Sequence, residues 1–320
     1  MKRVLITGGL GYLGGRICRA FSEAGWFVRV TTRRAISAAP KWAASCDVVE
    51  LDANNEADLR RACAGCNLLV HLAAANEVDS ARDPKSALRV NGQEGLAWLL
   101  AAEAEGIKRI VYFSTAHVYR APLVGRFDEQ TLPNPRHPYA ITHRVMEDFV
   151  LAAHASRRME GVVLRLSNAI GAPVDPNINR WTLVANDLCR QAVVNGSLTL
   201  KSSGLQLRDF IALADVTRAV LHFSELSRGK LQDGLYNLGS GHSTSVYDLA
   251  GLIATRASLI LGRDITIERA APSVMEGTQM LELCVDKLLA TGFRFCSSLT
   301  EEIDSTIMLC QTAFAPSLLH

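Results

Sequence analysis

Regular alternation of short apolar runs with amphipathic segments predicts an α/β fold, with a doubly wound parallel sheet followed by a smaller C-terminal lobe. Two observations carry this. The chain opens with the apolar run Arg3-Val4-Leu5-Ile6, a glycine-rich turn, and a helix with Leu13, Ile17, Ala20 and Phe21 at helical spacing. Further apolar strands read at 27–31, 47–50, 68–72, 109–114 and 162–166, and helices at 12–24, 56–63, 86–105 and 138–154. Runs this apolar suit strands covered on both faces, and such sheets bind ligands at the carboxyl ends of their strands.

The turn Thr7-Gly8-Gly9-Leu10-Gly11-Tyr12-Leu13-Gly14 is the sharpest local signal. Glycines at 8, 11 and 14 let the backbone turn sharply and approach a pyrophosphate. The following helix then presents free N–H groups and the positive end of its dipole. Its place between a strand and a helix makes the turn a dinucleotide signature. Residues 1–171 therefore read as a dinucleotide-binding Rossmann domain. After Gly171 comes the loop Ala172-Pro173-Val174-Asp175-Pro176-Asn177, then a helix over 181–194, short strands at 209–211 and 235–238, and helices at 214–226, 246–258 and 300–311. Residues 172–320 read mainly as a substrate-binding lobe, with segments near 207–240 returning to the first domain.

Bulk properties narrow the partners. Hydrophobic content is 48%, charged content 21% and net charge +2, which predicts no nucleic-acid or membrane partner. Met1-Lys2-Arg3 runs straight into the first strand, so a cytoplasmic protein without a signal peptide is expected. Eight cysteines in 320 residues do not make a small-domain disulfide framework, and no metal site is expected. Cys63-Ala64-Gly65-Cys66 reads either as a redox pair or as small residues packing at a helix end, and the absence of a thioredoxin-like setting favours packing.

Several phrases in order resemble an extended short-chain dehydrogenase/reductase of the nucleotide-sugar epimerase/dehydratase type, over nearly the whole chain. Besides the glycine turn these are Val70-His71-Leu72-Ala73-Ala74, Val111-Tyr112-Phe113-Ser114-Thr115-Ala116-His117-Val118-Tyr119, Pro138-Tyr139-Ala140-Ile141-Thr142-His143, Leu164-Arg165-Leu166-Ser167-Asn168-Ala169-Ile170-Gly171, Leu207-Arg208-Asp209-Phe210-Ile211 and Tyr236-Asn237-Leu238-Gly239-Ser240-Gly241. The resemblance implies a cofactor site drawing on Gly8, Gly11, Tyr12, Leu13, Gly14, Leu72, Ala73 and Ala74, with Asp52 and neighbouring Ala53 at the adenine. Asn91 resembles an asparagine that helps hold a relay water, although Gly92 and Glu94 depart from that pattern and helix packing is the other reading.

The family's Y-x-x-x-K phrase implies Tyr139 as acid/base, with His143 in the lysine's place. An imidazole can bond the nicotinamide ribose, but it titrates near neutral pH unless its neighbours intervene, so it supports a phenolate less than lysine does. Thr115 takes the catalytic hydroxyl's place and Ser114 is its near alternative. Asn168 and Arg208 are implied to hold a nucleoside-diphosphate sugar, a guanidinium fork suiting the diphosphate. Taken without the resemblance, Arg208-Asp209 reads as a local ion pair.

Thr32 stands where an NAD-selecting acid is expected, and Arg33 and Arg34 follow it, which favours NADP over NAD. Family 4,6-dehydratases carry Asp-Glu after the catalytic threonine. Here Ala116 and His117 hold those places, so dehydration is disfavoured against a 4-epimerase, 4-ketoreductase or 4-dehydrogenase. His117 reads as a proton carrier or as a structural histidine. The alternative to an enzyme is a cofactor-binding regulatory or interaction protein on the same fold. The resemblance also implies a homodimer through the helices 86–105 and 138–154, with Leu96, Leu99, Leu100, Val145 and Phe149 as candidates for its face or for the sheet-facing core.

Overall fold

The computed structural model describes residues 1–272 and 279–315. Its centre is a seven-stranded sheet. Strands β1 (Arg3–Thr7), β2 (Phe27–Thr32), β3 (Asp47–Glu50), β4 (Leu68–His71) and β5 (Arg109–Thr115) are followed by Glu160–Leu166 and Leu235–Leu238. From one edge the order is Leu235–Leu238, Glu160–Leu166, β5, β4, β1, β2, β3, every neighbouring pair parallel. The chain winds outward in both directions from β1 and β4, which leaves a crevice at their carboxyl ends.

Side-chain alternation explains why helices cover both faces. Val4 and Ile6, Val70, Val111 and Phe113, Val162 and Leu164 face one side, where they pack with Ile17 and Phe21 of helix α1 (Tyr12–Glu23). Val216, Ala219, Val220 and Phe223 of the helix Leu213–Glu225 complete that layer. Leu5, Leu69, Ile110, Tyr112 and Val163 face the other side. They pack with Leu59 of α2 (Glu56–Cys63), Trp98 and Leu99 of the helix Gly95–Ala104, and Met146 and Val150 of the helix Pro138–Ala155. A period of two along each strand thus builds two apolar layers from one sheet.

Beyond the sheet, the helices Val184–Asn195, Val246–Leu261 and Leu299–Phe314 pack around Phe210, Leu188, Ile253 and Ile307. A three-stranded sheet joins Asn168–Ile170 and Leu207–Ala212 in parallel, with Ser243–Ser245 antiparallel to the latter. Arg16 of α1 pairs with the largely buried Glu302 at 2.6 Å, and Glu302 also accepts from the Ala214 N–H at 2.7 Å. One carboxylate therefore ties α1, the start of the helix Leu213–Glu225 and the last helix together.

The expected strands all occur, with ends within two residues of the sequence reading. The expected continuous helix over 86–105 does not. Glu77–Arg82 and Pro84–Ala87 are α-helical, Leu88–Glu94 forms a π-helical turn, and Gly95–Ala104 resumes the α-helix. The wide turn carries Asn91 inward, where it is almost fully buried. The helix read at 181–194 starts at Val184, because the Trp181 indole N–H donates to the Pro176 carbonyl and holds the preceding residues in a turn.

Beneath the crevice Arg165 and Glu147 form an ion pair at 2.7 Å with side chains 1% and 0% exposed, joining the strand Glu160–Leu166 to the helix Pro138–Ala155. Arg165→Leu leaves the buried Glu147 carboxylate with only the partly exposed Arg144 as a cation partner and is expected to destabilise by about 3 kcal/mol. Arg165→Leu with Glu147→Leu is expected to recover most of that loss. Urea midpoints of the two variants check this, and equal losses would contradict it.

Candidate active site

The glycine turn is tight. The Gly11 N–H donates to the Gly8 carbonyl at 3.0 Å. Gly8 has φ of +68°, and a Cβ there would lie 2.9 Å from the Ala73 amide nitrogen, so both its conformation and its contact with β4's extension require glycine. A Cβ on Gly14 would lie 2.3 Å from the Gly8 carbonyl oxygen. Gly11 differs. Within 4 Å of a Cβ there stands only that oxygen, at 3.2 Å, so the space before it is open. Helix α1 starts beside it with no side-chain cap and no acidic residue in its first turn. Its free N–H groups make an anion cradle.

Thr7 joins this turn to β4. Its Oγ1 accepts from the Leu72 and Ala73 N–H groups at 3.2 and 3.3 Å and shares a hydrogen bond with His71 Nδ1 at 2.8 Å. Ala74 lies exposed beyond them. Asn91 accepts from the Ala75 N–H at 2.7 Å and donates to Thr142 Oγ1 at 2.9 Å, so it ties the end of β4 to the helix Pro138–Ala155. The Tyr12 hydroxyl donates to the Gly171 carbonyl at 2.7 Å, and Leu13 packs on the core. At the other end of the crevice Thr32 Oγ1 accepts from the Arg34 N–H at 3.0 Å, while Arg33 is exposed and has no side-chain partner among the described residues. Asp52 accepts from the Asn54 backbone N–H at 3.0 Å and from its side chain at 2.9 Å, contacts that hold its carboxyl below the usual range. Ala53 is buried beside a hollow lined also by Leu59, Arg89 and Leu100.

The helix carrying Tyr139 begins with Pro138, and His137 Nδ1 caps it by accepting from the Tyr139 N–H at 3.2 Å. This helix packs on β5 and on the short turn Ala116–Val118 that follows β5. Tyr139 is half-buried, and burial raises its phenol above the ordinary value. His143 sits one turn on, its ring edge-on to the tyrosine's at 4.5 Å between centroids. Its Nδ1 lies 2.6 Å from the Tyr112 hydroxyl, and its Nε2 is buried without a partner among the described residues. Thr115 ends β5, its Oγ1 accepting from the His117 N–H at 3.2 Å. Ser114 Oγ and His117 Nδ1 are likewise buried without partners among the described residues, and burial lowers the His117 pKa. Buried polar atoms are nearly always satisfied, so these unpaired atoms at the end of β5 and on the tyrosine helix stand out as available to a ligand.

The model of the NAD dependent epimerase/dehydratase family matches residues 4–239. The chain belongs to that family. It is 30% identical over 264 residues to a UDP-glucose 4-epimerase of Azospirillum brasilense, covering 77% of this chain and 75% of the relative. It is 31% identical over 150 residues to a dTDP-D-glucose 4,6-dehydratase of Mus musculus, covering 47% and 40%. Among solved structures, the Thermus thermophilus UDP-glucose 4-epimerase complex with NAD superposes with a TM-score of 0.78 at 25% identity, covering 97% and 99%. The open cradle at Gly11 and the uncapped start of α1 fit the phosphates of an NAD(P) cofactor.

Within this family member the fold decides two points that the sequence left open. The neighbours of His143 do intervene, and it does not titrate near neutral pH. Burial, followed by the nearby His71, pushes its pKa down to about 3, so the ring is neutral. Arg208 and Asp209 do not pair. The Asp209 carboxylate accepts from Ser167 Oγ at 2.6 Å and from the Ser240 and Gly241 N–H groups at 2.9 and 2.8 Å, while its carbonyl accepts from Asn168 Nδ2 at 2.9 Å. Arg208 is left without a carboxylate partner among the described residues, and burial lowers its pKa. Cys63 and Cys66 are buried free thiols, Cys63 raised to about 12 by burial, which fits packing. No His, Cys, Asp or Glu cluster able to hold a metal occurs among the described residues, and no described helix is long and apolar enough to cross a membrane.

The sequence reading did not pick out Tyr112 or His137. Tyr112 stands opposite His71 in the β4–β5 register, so two polar rings interrupt otherwise apolar strands at one level. That coincidence was the available signal. His71 and His143 are both held neutral, with pKa values pushed down by burial to about 4 and about 3. Depressed values favour the native state above the unfolded pKa of ~6.5, and that contribution is lost as pH falls through it. Stability is therefore expected to drop below about pH 6.5, each histidine adding about 1.4 kcal/mol per pH unit until its folded pKa is reached. Urea midpoints from pH 7.5 to 4.5 check this, and His143→Gln is expected to flatten the slope.

Proposed function

We propose that the protein transfers hydride at C4 of a nucleoside-diphosphate sugar, as a 4-epimerase, 4-ketoreductase or 4-dehydrogenase using NAD(P). The observation that carries the reading is Arg208, a half-buried cation without a carboxylate partner among the described residues, on a strand beside Asn168 and joined to the lobe that faces the tyrosine site. A guanidinium left free in this way suits a diphosphate, which a redox sensor without a sugar-nucleotide ligand has no need of. Bound NAD(P) supplies the hydride acceptor or donor. Gly8, Gly11 and Gly14 with the start of α1 would hold its pyrophosphate, with Leu72, Ala73 and Ala74 beside it. Tyr139 takes the sugar hydroxyl's proton during oxidation and returns it during reduction, and Thr115 or Ser114 bonds the same oxygen. His143 makes the ribose contact. Ala116 offers no acid for water elimination, which supports this chemistry over 4,6-dehydration even though dehydratases stand among the relatives.

Thr32 and the exposed Arg33 support a preference for NADP, since the guanidinium can meet a 2′-phosphate. A homodimer through the helices Gly95–Ala104 and Pro138–Ala155 fits the exposed Leu100 and Phe149, whereas Leu99 is spent in the core. A monomeric mass by sedimentation at micromolar protein would contradict the dimer.

Three variants test the reaction. Gly11→Val fills the open cradle at a backbone conformation valine can adopt, φ −91° and ψ −171°. It is expected to abolish NAD and NADP binding in calorimetry while the thermal midpoint holds. Arg208→Ala is expected to weaken the best binder among UDP, GDP, CDP and dTDP by roughly two orders of magnitude, the loss of one charged contact. Tyr139→Phe is expected to lower kcat by roughly 10²–10⁴ with cofactor binding retained. Full turnover in Tyr139→Phe sinks the catalytic assignment. No turnover by the parent on a panel of sugar nucleotides, with cofactor bound, moves the reading to a cofactor-binding regulatory protein.

A further inference from the structure

Tyr112 lies wholly inside the protein, between β5 and the helix Pro138–Ala155. Two imidazoles flank its ring. His71 stacks on it from β4 at 5.8 Å and 25°, and His143 approaches from the helix at 5.8 Å and 35°. The Tyr112 hydroxyl has one hydrogen-bonding partner among the described residues, His143 Nδ1 at 2.6 Å. A phenol at that depth keeps its proton and needs an acceptor for it. Nδ1 can accept only when it carries no proton, so the imidazole's proton is on Nε2.

We infer that Tyr112 is a positioning residue for the proposed reaction, holding His143 as the neutral tautomer whose single donor is Nε2–H. The inference rests on the reading of Tyr139 and His143 as parts of the reaction site. That donor is buried and has no partner among the described residues. It replaces the permanent charge a lysine brings in the family's phrase by one oriented, uncharged hydrogen bond for a ribose hydroxyl.

The surroundings keep the ring uncharged. From β4 comes His71, itself occupied at Nδ1 by Thr7. From β5 come Tyr112 and the Phe113 backbone, whose hydrogen bond favours the charged ring but is outweighed by burial. On the histidine's own helix are Tyr139 before it and Glu147 after it, and Glu147 is already held by Arg165 and Arg144. No free carboxylate among the described residues meets the imidazole to stabilise a second proton. The phenol, 2.6 Å from Nδ1, is therefore the side chain that sets the tautomer.

Nitrogen-15 NMR of histidine-labelled full-length protein tests this, with His143→Gln to assign the signal. The expected native spectrum has a bare, hydrogen-bonded Nδ1 and a protonated Nε2, unchanged from pH 5 to 9. Tyr112→Phe is expected to shift Nδ1 and mix the tautomers, and to weaken NADH and NADPH binding roughly fivefold to tenfold, the loss of one oriented neutral hydrogen bond. A proton on Nδ1 of the native ring, titration of the ring between pH 5 and 9, or unchanged tautomer in a folded Tyr112→Phe protein overturns the inference. If Tyr112→Phe does not fold, the native spectrum decides alone. The spectrum needs no turnover, so an inactive parent with the Nε2–H tautomer refutes the proposed reaction and leaves the role of Tyr112 standing. An active parent with an Nδ1 proton does the reverse.

Discussion

One hydroxyl group, that of Thr7, fastens the carboxyl ends of the two central strands. It accepts from two backbone N–H groups of the segment after β4 and shares a third hydrogen bond with His71. That arrangement puts the backbone at Ala73 close against Gly8, where only glycine can stand. The turn, the uncapped start of α1 and the segment Leu72–Ala74 are then one rigid edge rather than three loops. A parallel sheet wound outward from this point has its crevice here, so the position of the anion cradle at the start of α1 follows from the same contact.

The second constraint lies on the other side of that edge. Asn91 bonds both the Ala75 N–H and Thr142, and a π-helical turn is what brings it within reach of both. An unbroken α-helix would offer a different face at that position. Local helical regularity is given up for a pair of buried hydrogen bonds, a trade often seen where a wide turn lies at a functional site. Its effect is to lock the tyrosine helix, already anchored by the Arg165–Glu147 pair, in register with the ends of β4 and β5.

The layered fold was legible because its cause is local. Apolar runs of period two and amphipathic helices write themselves into the chain, and the glycine turn needs its residues at fixed spacing. The glycine cradle and the tyrosine and hydroxyl phrases were also legible, since each lies within a few residues. What escaped was anything set by the third dimension. His143 was read from its intrinsic pKa, whereas its burial beside His71 keeps it neutral. Arg208 and Asp209 were read as neighbours in sequence, yet side chains on successive strand residues point to opposite faces, and the acid turns inward to a ring of serine and backbone donors. The break in the helix over 86–105 depended on a partner, Thr142, far along the chain.

The fate of Asp209 bears directly on the chemistry. A buried carboxylate is costly unless its oxygens are satisfied, and here hydroxyls and backbone N–H groups satisfy them without any cation. Ser167, Ser240 and Gly241 come from two different segments, so the same acid that closes the end of the strand Leu235–Leu238 onto the strand Asn168–Ile170 also leaves Arg208 unneutralised. Satisfied by neutral donors, the acid leaves the Arg208 guanidinium with no carboxylate among the described residues to occupy its N–H groups. A guanidinium whose N–H groups are uncommitted suits an anionic ligand, whereas one held in an ion pair has its donors already engaged.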